Sequence, residues 1–383
     1  MGDEKMKMAA KDVNSLNGDR HLTINEWEEE AKALMERKAF DYIARGSGEE
    51  STLMANRKAF SRYQISHRVL RDVSHIDTSM NLFGSTISSP VLLAPIGVQT
   101  IAHPEGELAS ARAAAAMNVP FVVSTVSSYS MEEIGEQMGD SIRWFQLYYS
   151  GNEKVAESMI KRAESSGYTA IVLTVDTPIM GFRESDHRNK YSPVGEGAGS
   201  GNYFTDPEFC RLLEKPVMED KEAALKKQYE LFENPAVTWD AIRKIRQYTN
   251  LPILLKGIVH PEDASLALEY EVDGLIVSNH GGRQLDHGVA TLDVLEKICD
   301  VVQGEIPVLF DSGIRRGSDI FKALALGASA ALLGRPFIYG LAREGEDGVK
   351  KVVSQITTEF ETTMALAGAA KIREIDKTYL VWK

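Results

Sequence analysis

Three features of this sequence predict an α/β fold in which eight parallel strands close into a barrel. Eight short runs rich in apolar and β-branched residues recur from Val91 onward. Between them lie stretches with apolar residues at spacings of three and four, the period of a helix with one buried face. The runs are apolar almost throughout instead of alternating, as strands buried on both faces are. Eight β/α units are the number that closes a (β/α)8 TIM barrel. A doubly wound open sheet is the alternative arrangement of parallel β/α units.

In chain order, Met1–Asn14 is charged and polar, without the apolar segment of a secretory signal. Residues 1–23 read as a flexible tail and residues 24–383 as one domain. An N-terminal helical extension is expected, with helices over Ile24–Ala44 and Glu49–Arg57. The strands are then Val91–Gly97, Phe121–Thr125, Arg143–Tyr148 and Ala170–Asp176, followed by Pro252–Ile258, Gly274–Asn279, Pro307–Gly313 and Ala330–Arg335. Helices are expected over Glu105–Met117, Glu153–Ser166, Trp239–Tyr248, Pro261–Glu271 and Ser318–Leu326. Gly167, Gly304 and Gly327 stand where helix C-caps belong. The connection after the fourth strand, about 177–238, is too long for a simple crossover. It reads as a mobile lid, with Gly195–Gly201 as its flexible stretch.

Composition removes several function classes. The 383 residues carry 43 basic and 55 acidic side chains, a net charge of −12, which gives no footprint for nucleic acid or an anionic membrane. No run of eighteen apolar residues occurs, so no membrane span is expected. Two isolated cysteines, Cys210 and Cys299, make no disulfide framework and fit a reducing cytoplasm. The eight histidines show no metal-ligand spacing, so no metal is expected. No Gly-x-Gly-x-x-Gly follows a strand, which removes a Rossmann nucleotide site.

In a barrel of this type the active site forms at the C-terminal strand ends. Here those ends are polar or small: Pro95-Ile-Gly97, Ser124-Thr125, Gln146-Leu-Tyr148, Thr174-Val-Asp176, Lys256-Gly257, Ser278-Asn-His280, Asp311-Ser-Gly313 and Gly334-Arg335. The sharpest signal is Ser278-Asn-His-Gly-Gly-Arg-Gln-Leu-Asp286. It sets a candidate base, His280, three residues from a candidate anion clamp, Arg283. Asp311-Ser-Gly-Ile-Arg315 and Leu333-Gly-Arg335 end strands seven and eight, where such barrels often hold phosphate. Lys256 ends an apolar run, where a cation needs an anion beside it. Arg183 lies just past strand four and can meet a carboxylate bidentately.

This set resembles the FMN-dependent L-2-hydroxy-acid oxidases and dehydrogenases, from about Ile24 to Leu366. The motifs that carry the resemblance are Asp41-Tyr-Ile-Ala44, Gly46-Ser-Gly48, Leu93-Ala-Pro-Ile-Gly97, Phe145-Gln-Leu-Tyr-Tyr149, Leu173-Thr-Val-Asp176, Leu255-Lys-Gly257, Ser278–Gln284 and Asp311–Arg315. The resemblance implies FMN over the barrel mouth. Its phosphate would meet Asp311, Ser312, Gly313 and Arg315 together with Gly334 and Arg335. Its ring would meet Pro95, Ile96, Gly97, Ser124, Gln146, Thr174 and Ser278, with Lys256 on the pyrimidine side. The substrate carboxylate would be held by Arg183, Arg283 and Tyr42, and Tyr148 would meet the hydroxyl or carboxylate. His280 would accept the hydroxyl proton as hydride leaves for flavin N5, with Asp176 stabilising the imidazolium.

Within the family, Ala94-Pro-Ile-Gly-Val98, Asn202–Phe209 and Asn234–Asp240 are similar to lactate 2-monooxygenase. That similarity implies L-lactate and O2 as substrates, with acetate and CO2 as products. L-lactate oxidase, which gives pyruvate and H2O2, is the nearest alternative. Many relatives place an aromatic residue at the substrate's outer wall, where this chain has Val126. A bulkier 2-hydroxy acid such as mandelate is therefore a further reading. The family resemblance implies a homotetramer or homo-octamer.

Overall fold

The computed structural model describes residues 22–383. The expectation of a flexible tail over residues 1–21 lies outside the described residues. Leu22 is buried and the Thr23 side chain caps the first helix, so these two residues of the expected tail are part of the folded domain.

Eight strands form one closed barrel: β1 (Val91–Leu93), β2 (Phe121–Ser124), β3 (Arg143–Leu147), β4 (Ile171–Thr174), β5 (Ile253–Ile258), β6 (Gly274–Val277), β7 (Val308–Phe310) and β8 (Ala330–Leu333). Each pairs in parallel with its sequence neighbours, and β8 returns to β1 with Ala331 opposite Val91. That pairing leaves no sheet edge and removes the doubly wound alternative. Most of the expected strands run a few residues past the observed ladders, because the chain turns away at the mouth to present side chains there.

The continuous apolar runs have a simple cause. Leu92, Val122, Trp144, Val172, Leu254, Ile276, Leu309 and Leu332 fill the barrel interior. Their neighbours Val91, Leu93, Val123, Phe145, Ile171, Leu255 and Leu333 pack against the surrounding helices. Successive side chains point to opposite faces, and both faces are dry. The hairpin Met80–Leu82 with Ser85–Ile87 closes the N-terminal end of the barrel: Leu82 and Ile87 join the interior cluster, and Phe83 meets Trp144 edge-on. Only the opposite end remains for a ligand.

The five expected helices are present as Gly106–Met117, Glu153–Ser165, Asp240–Tyr248, Pro261–Glu269 and Gly317–Ala325. Gly167, Gly304 and Gly327 follow helix ends at φ of 73°, 78° and 106°. Met131–Met138, Thr291–Val302 and the kinked Arg335–Ala367 complete the ring. The expected helix over Ile24–Ala44 is two helices, Ile24–Leu34 and Arg37–Ala44, broken where Met35 is extended. Among the described residues no helix is long and apolar enough to cross a membrane. Nor does any cluster of His, Cys, Asp or Glu there suit a metal ion.

The long insertion after β4 carries the helices Glu184–Asn189, Gly201–Phe204, Pro207–Cys210 and Lys221–Phe232. Its glycine-rich stretch is packed at the C-terminal end, Gly199–Gly201, whereas Gly195 and Glu196 are exposed. A Cβ on Gly201 would sit 2.3 Å from the Tyr129 carbonyl carbon, and one on Gly199 would sit 2.9 Å from Val126 O. At Gly199 and Gly201 the missing Cβ permits this close backbone approach.

Candidate active site

The strand ends surround a chamber of about 520 Å³ at the open end of the barrel. His280, three residues past β6, has a left-handed backbone with φ 57°. Its backbone N–H donates to Ser278 Oγ at 3.1 Å, which holds the turn. Its Nδ1 lies 2.8 Å from Asp176 Oδ1, and its Nε2 lies 3.5 Å from Tyr148 OH. Burial pushes the imidazole below its ordinary value, against the pull of Asp176. Burial also raises the Asp176 carboxyl, but the His280 and Lys256 charges outweigh it and hold that carboxyl below the usual range. An ionised Asp176 can only accept, so the imidazole proton sits on Nδ1 and Nε2 keeps a lone pair toward the chamber. Burial likewise pushes the Tyr148 hydroxyl well above its usual value, so it stays protonated.

Four guanidiniums gather around this pair. Arg283 donates to the backbone carbonyls of Tyr42 and Arg45 and lies over the Tyr42 ring at 4.8 Å. Arg183 donates to Arg283 O at 3.1 Å and Gln284 Oε1 at 3.2 Å, and its buried NH1 has no hydrogen-bond partner. Arg335 donates to Ile43 O, Gly281 O and Arg45 O. Arg315 donates to Ile314 O. Among the described residues none of Arg283, Arg315 and Arg335 has a carboxylate in salt-bridge reach. Burial pushes all three below the ordinary guanidinium value. Buried or half-buried cations satisfied only by carbonyls leave the site in need of an anion.

Strand-end side chains form two belts beneath the chamber. Gln146 Nε2 donates to Thr174 Oγ1 at 2.9 Å, and Ser124 Oγ donates to Gln146 Oε1 at 3.2 Å. Lys256 Nζ meets Ser278 Oγ at 3.0 Å and Asp311 Oδ2 at 3.2 Å. On the far wall Ser312 and Gly313 turn at φ of 90° and 93°, and a Cβ on Gly313 would sit 2.8 Å from Asn56 O. Gly334 precedes the N-terminus of the Arg335–Ala367 helix. This wall combines a helix N-terminus, closely approached backbone, the buried Arg335 and the half-buried Arg315, which together suit a phosphate.

Sixteen sequence-expected residues line the chamber: Tyr42, Pro95, Ile96, Gly97, Ser124, Tyr148, Arg183, Lys256, His280, Arg283, Asp311, Ser312, Gly313, Arg315, Gly334 and Arg335. Gln146, Thr174, Ser278 and Asp176 stand behind them as hydrogen-bond partners. Sequence reasoning missed Met180, Tyr191, Val194, Tyr229 and Phe232, which the insertion contributes to the chamber. Phe232 meets Tyr148 edge-on, with ring centroids 4.8 Å apart. Phe232 could have been found from the helical spacing of Ala224, Gln228 and Phe232 on the Lys221–Phe232 helix; no such pattern marks Met180, Tyr191 and Val194.

A barrel mouth that sets a neutral imidazole, backed by a carboxylate, among buried cations defines an enzyme handling anionic ligands by proton transfer. The model of the FMN-dependent dehydrogenases matches residues 31–382. The chain is 50% identical over 343 residues to an L-lactate oxidase of Lysinibacillus sphaericus, covering 89% of this chain and 88% of that protein. It is 41% identical to a 2-hydroxyacid oxidase of Dictyostelium discoideum, covering 95% and 91%. The crystal structure of mandelate oxidase superposes with a TM-score of 0.84 at 38% identity, covering 95% of this chain and 99% of the other. The chain therefore belongs to the FMN-dependent dehydrogenase family, as a 2-hydroxy-acid oxidase whose cofactor is FMN. The residues present fit that group: the phosphate-suited wall and the Lys256 belt could hold its two ends.

Proposed function

We propose that this chain oxidises L-lactate with dioxygen, giving pyruvate and hydrogen peroxide. The observation that carries this reading is the His280–Asp176 pair facing the buried Arg183 and the half-buried Arg283 across one chamber. In this reading the two arginines, with the Tyr42 hydroxyl, take the substrate carboxylate; Arg183 NH1, buried without a hydrogen-bond partner and 3.9 Å from Asp186 Oδ2, supports that role. Tyr148 donates to the substrate oxygen. His280 Nε2 accepts the hydroxyl proton, which frees the α-carbon to give up its hydrogen with an electron pair. Asp176 stabilises the imidazolium that results. FMN, when bound, accepts that electron pair. Its phosphate would be held by Asp311–Gly313, Arg315, Gly334 and Arg335. Its ring would rest on Pro95–Gly97, Ser124, Gln146, Thr174 and Ser278, with Lys256 beside it.

L-lactate is favoured because two relatives named L-lactate oxidase, from Lysinibacillus sphaericus and Nostoc, are 50% and 41% identical. A second product outcome, acetate and CO2, requires pyruvate to stay bound. The packing of the insertion onto Val126 and Tyr129 supports that outcome. A contact between copies is part of the reading too. Val69, Leu70 and Leu366 are exposed, and the Arg68 N to Ala367 O bond brings their segments together.

The deciding experiment is turnover of L-lactate in air by catalase-free protein, with pyruvate, peroxide and acetate quantified. Pyruvate with equimolar peroxide supports the oxidase. Acetate without peroxide supports the monooxygenase. Flavin that stays oxidised in excess L-lactate overturns the reading.

A further inference from the structure

The loop after β2 carries Val126, which lines the chamber directly against Gly97. Its backbone is bound from three sides. From the β1 side, Val98 N donates to Val126 O at 2.9 Å, and Thr100 Oγ1 meets Ser128 Oγ at 2.8 Å. From the helix behind, Glu107 is fully buried; its Oε1 accepts from Gln99 N and Ser128 N, both at 3.0 Å, so one oxygen ties the two loops together. Its Oε2 is buried with no partner. All of this carboxyl's side-chain hydrogen bonding therefore falls on the oxygen that joins the two loops. From the insertion, Asn202 is also fully buried. Its Nδ2 donates to Ser124 O at 3.1 Å, Thr125 O at 3.0 Å and Ser127 Oγ at 2.9 Å, and its Oδ1 accepts from Met131 N at 2.7 Å. Gly201 N adds a bond to Ser127 O at 3.0 Å.

We infer that Asn202 and Glu107 are positioning residues for substrate size: together they hold the β2 loop so that Val126 stands against Gly97 and closes the substrate end of the chamber. Neither touches the chamber, so both act through Val126. The consequence is specific. The insertion sets the dimensions of the site from its anchored base, apart from any covering role of its chamber-facing side chains. Loss of either clasp lets the Val126 wall retreat, which admits a larger side chain on the 2-hydroxy acid and loosens the fit to a methyl group. This inference rests on the proposed 2-hydroxy-acid chemistry.

The test measures kcat/KM for L-lactate and L-mandelate with FMN-loaded protein. Asn202→Ala and Glu107→Ala are expected to raise the mandelate-to-lactate ratio roughly tenfold, the size of discrimination that a small change in an apolar pocket supplies. Glu107→Gln keeps the accepting oxygen and is expected to restore the wild-type ratio. Val126→Ala, which opens the wall directly, is expected to raise the ratio to the same degree. Ser127→Ala removes one Asn202 partner and serves as the milder variant, with an expected rise of about twofold. It decides the matter if the first two variants do not retain flavin. Equal losses for both substrates, or an unchanged ratio in Ser127→Ala and Val126→Ala, overturn the inference. Wild-type protein that oxidises neither substrate overturns the underlying reading instead, so the two failures are distinguishable.

Discussion

Replacing Asp176 with Asn removes the charge opposite His280 while keeping nearly the same shape. The wild-type Nδ1 to Oδ1 distance is 2.8 Å, and both groups are largely buried. As imidazolium forms, two unit charges about 4 Å apart at an effective dielectric near 20 attract by roughly 4 kcal/mol. At 1.36 kcal/mol per decade, that predicts flavin reduction by L-lactate slowed by about 10³-fold. The sign of the pH effect is also set. His280 must be neutral to act, so activity rises with pH through its pKa. Burial already holds that pKa below its ordinary value and Asp176 pulls it up, so Asp176→Asn moves the acid limb to lower pH. The assay is anaerobic stopped-flow loss of flavin absorbance across pH. A reduction rate within a few-fold of wild type, or an acid limb that stays put, would refute the base–carboxylate reasoning.

Other perturbations test other walls of the site. Arg335→Met leaves its backbone partners unfilled and removes a cation from the phosphate-suited wall. FMN affinity is expected to fall roughly 10- to 100-fold, read by fluorescence of released flavin. Lys256→Met strands Asp311 without its 3.2 Å partner and is expected to destabilise the fold by about 3 kcal/mol or more, read by thermal denaturation. Gly97→Ala would set a Cβ 2.4 Å from Val126 O, so a loss of about 1–3 kcal/mol is expected in the same measurement. Burial raises the Glu107 carboxyl from 4.5 to about 7. The unfolded chain ionises first, so this group's contribution is present below the lower value and lost as pH rises to the upper one. Glu107→Gln should abolish about 3 kcal/mol of that pH dependence, read from urea midpoints at either end of the window.

Much of the molecule was legible before any coordinates. The eight apolar runs identify barrel strands because a parallel strand between helices and a packed interior has no wet face, as Leu92 and Leu93 illustrate. His280, Lys256 and Arg335 could be picked out because strand-end position in a barrel is a matter of counting, and a polar or charged side chain ending an apolar run stands out there. The break at Met35 was hidden, since both helices keep apolar residues at helical spacing and only the extended turn between them redirects the chain. Gly199 and Gly201 were ambiguous for a related reason: glycine permits both mobility and close approach, and only the backbones of Val126 and Tyr129 beneath them show close approach there.

The sequence by itself determined the barrel, which follows from local pattern; its motifs, through their family resemblance, pointed to the cofactor class, and strand-end position singled out a candidate base and candidate clamps. Only the tertiary structure decided which oxygen of Asp176 meets His280, which guanidiniums lack an anion, and how Asn202 and Glu107 converge on one loop from positions nearly a hundred residues apart. Those facts depend on long-range geometry, where the distance between two side chains is set by the packing of every element between them.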